Sequence, residues 1–183
     1  MIYAYCSLVL AAFRESRSVT NDDAIAYAFA RTVFQQTLEG PWRWLLKLWL
    51  WFVQDPVGFL SRRSLAKWAQ RSQGSSMEFA EEKTDDAVEL VVRRCGFHQF
   101  FVAHGEPALT PVVCAFDRVW MEMIDRSPRP IRTERPSTIS TGGDSCRFRF
   151  IRDHDKGRVE PADVVLVQLQ KPPYAVRKNP NAC

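Results

Sequence analysis

The segment GGDSCRFRF, residues 142–150, combines a turn with a strand. Its two glycines and Asp144 are typical of a tight turn, after which Phe148 and Phe150 alternate with arginines. This period of two predicts a strand with one buried side, and Cys146 falls on the same side as the phenylalanines. The strand therefore turns a thiol inward, directly beside the turn. A buried structural cysteine is the simpler interpretation, and a functional one requires partners from elsewhere in the chain.

Helical patterns fill the chain before this hairpin, up to about residue 72. Apolar spacing predicts helices over 4–13, 22–38, 41–55 and 57–70. Thr20 or Asn21 can cap the second helix, and Pro41 suits the first turn of the third. The polar segment RSQGSS, residues 71–76, marks the change to a different pattern.

The rest of the chain mixes strands and helices. The patterns predict strands over 77–84, 87–95, 136–140, 145–152 and 164–170, and helices over 96–104 and 107–125. Residues 171–183 are polar and predict a disordered tail. We therefore predict one α+β domain over 1–170, in which a helical part (1–72) packs with a part (77–170) that contains a small, mostly antiparallel sheet and a long central helix.

Composition narrows the classes of function. The chain has 183 residues, 46% of them hydrophobic, and a net charge of only +4. Its basic residues are spread along the sequence, so no nucleic-acid partner is predicted, and the basic, proline-rich stretch 126–135 is interpreted as a connecting loop. No apolar run reaches the ~18 residues that a membrane span needs. Five widely spaced cysteines without a secretory signal predict reduced thiols in a cytoplasmic protein.

The segment WRWLLKLWLWFV, residues 42–53, has apolar residues all round the predicted helix. A helix of this kind is normally buried from several sides. We therefore predict a homo-oligomer joined through this Trp-rich helix, and a helix lying on a membrane surface is the alternative.

The central helix carries the first candidate for chemistry. Cys114 and Asp117 are three residues apart, so their side chains share one helical face. Asp117 borders the apolar stripe, where an unpaired carboxylate would be costly. It therefore either forms a salt bridge, with Arg147 or Arg149 as candidate partners, or lines a pocket. Spacing alone favours the structural interpretation.

Other candidates stand at the ends of predicted elements. Cys95 ends a strand, His98 follows it by three residues, and Cys146 begins the last hairpin strand. Residues at the ends of different elements can converge on one site. Their spacing matches no zinc motif, although a divalent metal such as zinc stays open. No GxSxG, P-loop, GxGxxG or HExxH motif occurs in the sequence.

The stretches CGFHQFFVAHGEPALTPVVCAFD, residues 95–117, and TISTGGDSCRFRF, residues 138–150, together resemble the L-2-amino-thiazoline-4-carboxylic acid hydrolase family. Members of that family combine a cysteine, a Cys-x-x-Asp pair and a late Gly-Gly-x-x-Cys-x-Phe motif. The resemblance covers about residues 22–152 and is most specific over 95–150. The sequence departs from the family pattern at Arg147, where an acidic residue is frequent. If Arg147 faces the pocket, we expect a more anionic substrate or a different one.

The resemblance implies hydrolytic opening of a small five-membered ring, a cyclic amidine or thiazoline that carries a carboxylate. No cofactor is expected. The catalytic residues that it implies are Cys114, Asp117, Cys95, Cys146 and His98, and the substrate-binding residues are Arg147, Arg149, Thr138 and Gly143. Isomerisation or ring rearrangement in the same pocket is one alternative. A non-catalytic domain that senses a small ligand is another.

Overall fold

The structure, a computed structural model, describes residues 2–156 without the side chains of residues 37–41. The helices are α1 Ile2–Thr20, α2 Asp23–Phe52, α3 Pro56–Arg62, α4 Leu65–Gln73, α5 Gly96–Ala103 and α6 Thr110–Asp125. The strands are β1 Glu78–Lys83, β2 Ala87–Arg94, β3 Ile131–Ser137 and β4 Cys146–Arg152. This arrangement confirms the predicted α+β class. The predicted strand 164–170 and the tail 171–183 lie outside the described residues, so the predicted domain limits stay a prediction.

Helix α2 runs without a break through residues 40 and 41, so the predicted start of a new helix at Pro41 is wrong. A proline inside a helix removes one backbone hydrogen bond and therefore favours a break. Packing on both sides of this position opposes that preference. Phe34 before it and Trp42 after it both contact Phe116 of α6, with ring centroids 6.4 Å apart in each pair. Tertiary contacts thus override the local propensity.

Side-chain caps set the other helix limits. Asp22 caps α2, in place of the predicted Thr20 or Asn21, and its carboxylate accepts the N–H of Ala24 at 2.8 Å. The predicted helix 57–70 is two helices, because Ser64 caps α4. The prediction did not recognise this serine as a cap.

The four strands form one antiparallel sheet in the order β1-β2-β4-β3, so β4 lies inside the sheet and β3 at an edge. The predicted loop 126–135 is wrong at its C-terminal end, because β3 begins at Ile131. The sequence of β3, IRTERPS, has no apolar alternation that would reveal a strand. Pro136 falls where the pairing with β4 shifts register, and an edge strand tolerates a proline there.

Helix α6 is enclosed between α2 and the sheet. Trp120 of α6 packs on Phe148 and Phe150 of β4, with ring centroids 5.7 and 5.8 Å apart. Phe116, also on α6, meets the aromatic residues of α2. Aromatic pairs of this kind contribute about 0.5–1.5 kcal/mol beyond the area that they bury. The central helix is therefore fixed from both sides, and so are the side chains that it presents. Among the helices of residues 2–156, none is long and apolar enough to cross a membrane.

Candidate active site

The candidate site is built on one face of α6. Thr110, Cys114 and Asp117 follow one another at i, i+4 and i+7, the spacing of a single helical face. Asp117 accepts hydrogen bonds from Nε1 of Trp120 at 3.2 Å and from Nη1 of Arg135 at 3.1 Å. Burial raises the pKa of Asp117 to about 6, although both hydrogen bonds act in the opposite direction. This carboxyl group therefore titrates close to neutral pH.

The partner of Asp117 is Arg135 of β3, so Arg147 and Arg149 are wrong as candidates for this salt bridge. The same Nη1 atom of Arg135 also donates to the carbonyl oxygen of Cys114 at 3.1 Å. The side chains of Asp117 and Arg135 are each 26% exposed, so solvent reaches the pair from one side. Sequence reasoning missed Arg135 because it lies in the stretch interpreted as a loop.

Arg147 and Arg149 lie on the other side of the sheet. They alternate along β4 with the buried residues that face α6. Nη1 of Arg147 binds Glu89 at 3.0 Å, and Nη1 of Arg149 binds Glu134 at 3.1 Å. The structure does not bring these two arginines together with the cysteines. The departure from the family pattern at Arg147 therefore does not change the charge near Cys146.

Cys95 and Cys146 come from strands that neighbour each other. Cys95 follows β2 and precedes α5, and Cys146 opens β4 opposite Val92 of β2. Both thiols are buried, with 8% and 7% of each residue exposed. Burial raises the pKa of Cys95. Hydrogen bonds from the backbone N–H groups of His98 and Phe97 lower this pKa, and the charge of Cys146 raises it. The two sulfur atoms are therefore close enough to interact electrostatically.

Cys114 belongs to the same cluster. Burial raises the pKa of its thiol to about 12; a hydrogen bond with Ser140 acts against this rise, and the charges of Asp117, Cys95 and Cys146 add to it. The structure thus brings the three predicted cysteines and Asp117 into one electrostatically coupled group. Cys6 also interacts with Cys95, and burial raises the pKa of its thiol to about 12. These thiols keep their protons at neutral pH.

The turn between β3 and β4 covers one end of this group. Its backbone N–H at Ile139 donates to Sγ of Cys146 at 3.2 Å. Thr138 is buried, and its hydroxyl lies 2.8 Å from the hydroxyl of Thr141. Gly142 has a φ of +92°, and a Cβ added at Gly143 would lie 2.9 Å from the carbonyl oxygen of Thr138. The turn thus requires both glycines and places a row of hydroxyl groups beside the cysteines.

His98 approaches the site through a buried threonine. Its Nδ1 lies 3.2 Å from Oγ1 of Thr110, the first of the three residues that share this face of α6. Thr110 is 1% exposed, whereas His98 is partly buried. Thr110 was not predicted as a site residue, although its spacing from Cys114 could have indicated it.

Other features of residues 2–156 lie away from this group. An open groove of about 380 Å³ is lined by residues of α1, the end of α4, Arg94 and Gln99, and it contains none of the predicted site residues. Within the described part, no three His, Cys, Asp or Glu side chains are arranged to hold a metal ion. A zinc site on the cysteines stays an untested hypothesis.

The fold and this cluster define a class: a small α+β protein with buried cysteines grouped around one carboxylate. The family model described as L-2-amino-thiazoline-4-carboxylic acid hydrolase matches residues 7–150, and the chain belongs to this family. The family description indicates a hydrolase-type function. Neither the curated proteins nor the solved structures give a significant match to the chain.

Proposed function

We propose that the protein hydrolyses a small five-membered cyclic amidine or thiazoline that carries a carboxylate, and that the reaction takes place beside Cys114 and Asp117. The membership of the chain in the hydrolase family supports the reaction type. The observation that carries the proposal is the environment of Asp117, whose pKa of about 6 suits a general acid and base near neutral pH.

Asp117 is the proton carrier in this proposal. Its carboxylate takes a proton from a water molecule while the water oxygen bonds to ring carbon C2. The bond from C2 to one ring heteroatom then breaks, and the proton on Asp117 passes to that heteroatom. The net change is the addition of one water molecule, and the carboxylate is regenerated. Trp120 holds one carboxylate oxygen through Nε1 and thereby orients the group.

The cysteines serve as neutral groups in this scheme. With a pKa of about 12, Cys114 stays protonated at neutral pH, so its thiol donates a hydrogen bond to the ring. Cys95 and Cys146 line the buried side of the site, and His98 supports it through Thr110. Attack by the Cys114 sulfur itself would require Asp117 to remove the thiol proton first. A covalent adduct on Cys114 would reveal that route.

Arg135 is the proposed anchor for the substrate carboxylate, in place of Arg147 and Arg149. Both of its hydrogen bonds come from Nη1, so Nε and Nη2 make no hydrogen bond within residues 2–156. Two N–H groups of one guanidinium can grip a carboxylate through parallel hydrogen bonds. The hydroxyl of Thr138 and the glycine turn at Gly143 lie at the end of the site near Cys146, where they limit the size of the ring.

The test is a screen of the purified protein against thiazoline, cyclic isothiourea and cyclic amidine carboxylates, read by mass spectrometry. A product heavier than the substrate by one water molecule supports hydrolysis, provided that Asp117→Asn abolishes it, Cys114→Ala, which removes the thiol donor, lowers its rate, and both variants remain folded. Glu134→Gln, on the solvent-facing side of the sheet, is the matched control. A product of unchanged mass would favour the isomerase alternative. Saturable binding without any product would favour a sensor domain.

A further inference from the structure

The C-terminal half of α2 has two apolar sides. Leu46, Trp49 and Leu50 pack against the core with the spacing of one helical face. We call the opposite side the outer face of α2, and it consists of Trp44, Leu45, Leu48, Trp51 and Phe52. These residues are 64%, 50%, 37%, 68% and 67% exposed in the order given. Five apolar side chains thus meet solvent along about two turns of one helix.

The C-terminal end of the outer face is tied by hydrogen bonds to the segment that follows α6. Arg129, which follows α6, donates from Nε to the carbonyl oxygen of Leu50 at 2.5 Å and from Nη2 to that of Trp51 at 2.6 Å. A third bond, from Nη1, reaches the side chain of Gln54. These bonds satisfy carbonyl groups at the end of the helix, which would otherwise lack partners. A surface that is already ordered loses little entropy when it binds.

The exposed area approaches that of a protein interface. A buried aromatic side chain covers about 150–250 Å². The exposed two-thirds of Trp44, Trp51 and Phe52 therefore amount to roughly 300–500 Å². The two leucines add to this area. In a standard interface each partner buries about 800 Å². The largest apolar patch on a typical monomer covers about 300–600 Å² and is often functional, and the outer face reaches this size.

We propose that the outer face of α2 binds the same face of a second copy of this chain, and that the two helices pack antiparallel about a two-fold axis near Leu48. Trp44, Leu48 and Trp51 follow the i, i+4, i+7 spacing by which helices interlock. A two-fold axis joins identical patches, so Trp44 of one copy meets Phe52 of its partner. Lys47 lies at the margin of the stripe and keeps its charge in water.

The charge of the segment favours a second copy over a lipid surface. Anionic membranes recruit clusters of about four to eight Lys or Arg residues. Residues 42–54 carry only Arg43 and Lys47. The area of the face, rather than its charge, is therefore the main source of binding energy. The proposal is independent of the proposed reaction.

Sedimentation velocity over a range of protein concentrations tests the proposal. We expect a reversible dimer for the natural sequence, and a dissociation constant at least about thirtyfold higher for Trp51→Glu, because exposed tryptophans at interfaces are hot spots. The matched control is Trp68→Glu on α4, where a tryptophan is 59% exposed but lies outside this face. A monomer at every concentration, or equal weakening by both substitutions, would overturn the proposal.

A crosslink tests the position of the axis without relying on a destabilising change. In a Cys183→Ser background, Leu48→Cys should form a disulfide-linked dimer under mild oxidation, because residues at a two-fold axis approach their own copies. Trp68→Cys is the control and should stay uncrosslinked. A dimer that Leu48→Cys fails to crosslink would contradict the assigned axis. A monomer that sediments with phosphatidylserine vesicles, and loses this binding on Trp51→Glu, would assign the face to lipid instead.

Discussion

The seven residues of β4 alternate between two sides of the sheet, and the two sides differ in chemistry. On the side that faces α6, the buried residues are Cys146, Phe148 and Phe150. On the side that faces solvent, Arg147 and Arg149 bind glutamates of the neighbouring strands. Exposed ion pairs are screened by water and contribute little, whereas a half-buried carboxylate acts strongly on its surroundings. The side of the sheet on which a charge lies therefore says more about function than the number of charges on the strand.

The sharpest test of this difference is the pair of substitutions Asp117→Asn and Glu134→Gln. Once the screen has supplied a substrate, we expect Asp117→Asn to lower kcat by about 10²–10⁴-fold, because the variant lacks the proposed proton carrier. Glu134→Gln should leave kcat within about twofold, since its ion pair with Arg149 is on the other side of the sheet. Steady-state kinetics measure both values. Similar losses in the two variants would remove the distinction between the sides.

The second test compares packing on one side of β4 with charge on the other. We expect Phe148→Ala to lower the free energy of unfolding by about 3 kcal/mol, because it leaves a cavity beside Trp120. Arg149→Ala should cost less than about 1 kcal/mol, because both members of its ion pair are substantially exposed. Urea denaturation followed by circular dichroism gives both values. A smaller loss for Phe148→Ala than for Arg149→Ala would contradict the assigned core.

Arg135 and Arg149 lie on opposite sides of the sheet, so their alanine variants compare the two sides directly. Removing Arg135 takes a hydrogen-bond partner from Asp117, so we expect Arg135→Ala to destabilise the fold by about 1–3 kcal/mol and to raise the pKa of Asp117 further. If Arg135 also anchors the substrate, KM should rise more than kcat falls. Arg149→Ala is the reference for both measurements. An unchanged KM with Arg135→Ala would assign the arginine a purely structural role.

The buried side of β4 should also make stability and activity depend on pH, through Asp117. The pKa of Asp117 in the folded state, about 6, is above its ordinary value of 3.8, so the stability that this group contributes is complete below about pH 4 and is lost as pH rises through 6. Activity should change in the opposite direction, because the carboxylate form that accepts the proton appears above pH 6. Unfolding midpoints at pH 4.5 and 7 measure the first effect. In Asp117→Asn, the difference between the two midpoints should shrink by the part that Asp117 contributes. If the variant keeps the same difference as the natural protein, Asp117 is not the group that titrates near pH 6.

The apolar periodicity of the sequence was sufficient to predict most of the helices and strands. Strands β1, β2 and β4 and helices α5 and α6 were predicted with limits close to the observed ones, because each has a clear apolar period. The prediction was wrong where an element depends on distant contacts. Helix α2 passes through Pro41 because packing on α6 supports it from both sides, and no pattern within the segment reveals that support.

The proximity of the cysteines to Asp117 was predictable from the sequence, but the arginine that binds Asp117 was not. Cys114 and Asp117 are linked by spacing along one helix, which the sequence shows directly. Arg135 lies on an edge strand whose sequence lacks alternation, so the ion pair depends on the register between β3 and β4. Arg147 and Arg149 follow Cys146 closely in the sequence, yet the period of two along a strand places Cys146 and these arginines on opposite sides of the sheet.

The Gly142-Gly143 turn limits which substitutions the hairpin can accept during evolution. Mutational drift can exchange the arginines and glutamates of the solvent-facing side with little consequence for folding, since each pair contributes little. A single methyl group at Gly143 would press on the backbone oxygen of Thr138 and push Cys146 away from the N–H that binds it. A mutagenesis library built around the proposed site should therefore vary the hydroxyl-bearing residues of the turn and leave its glycines untouched.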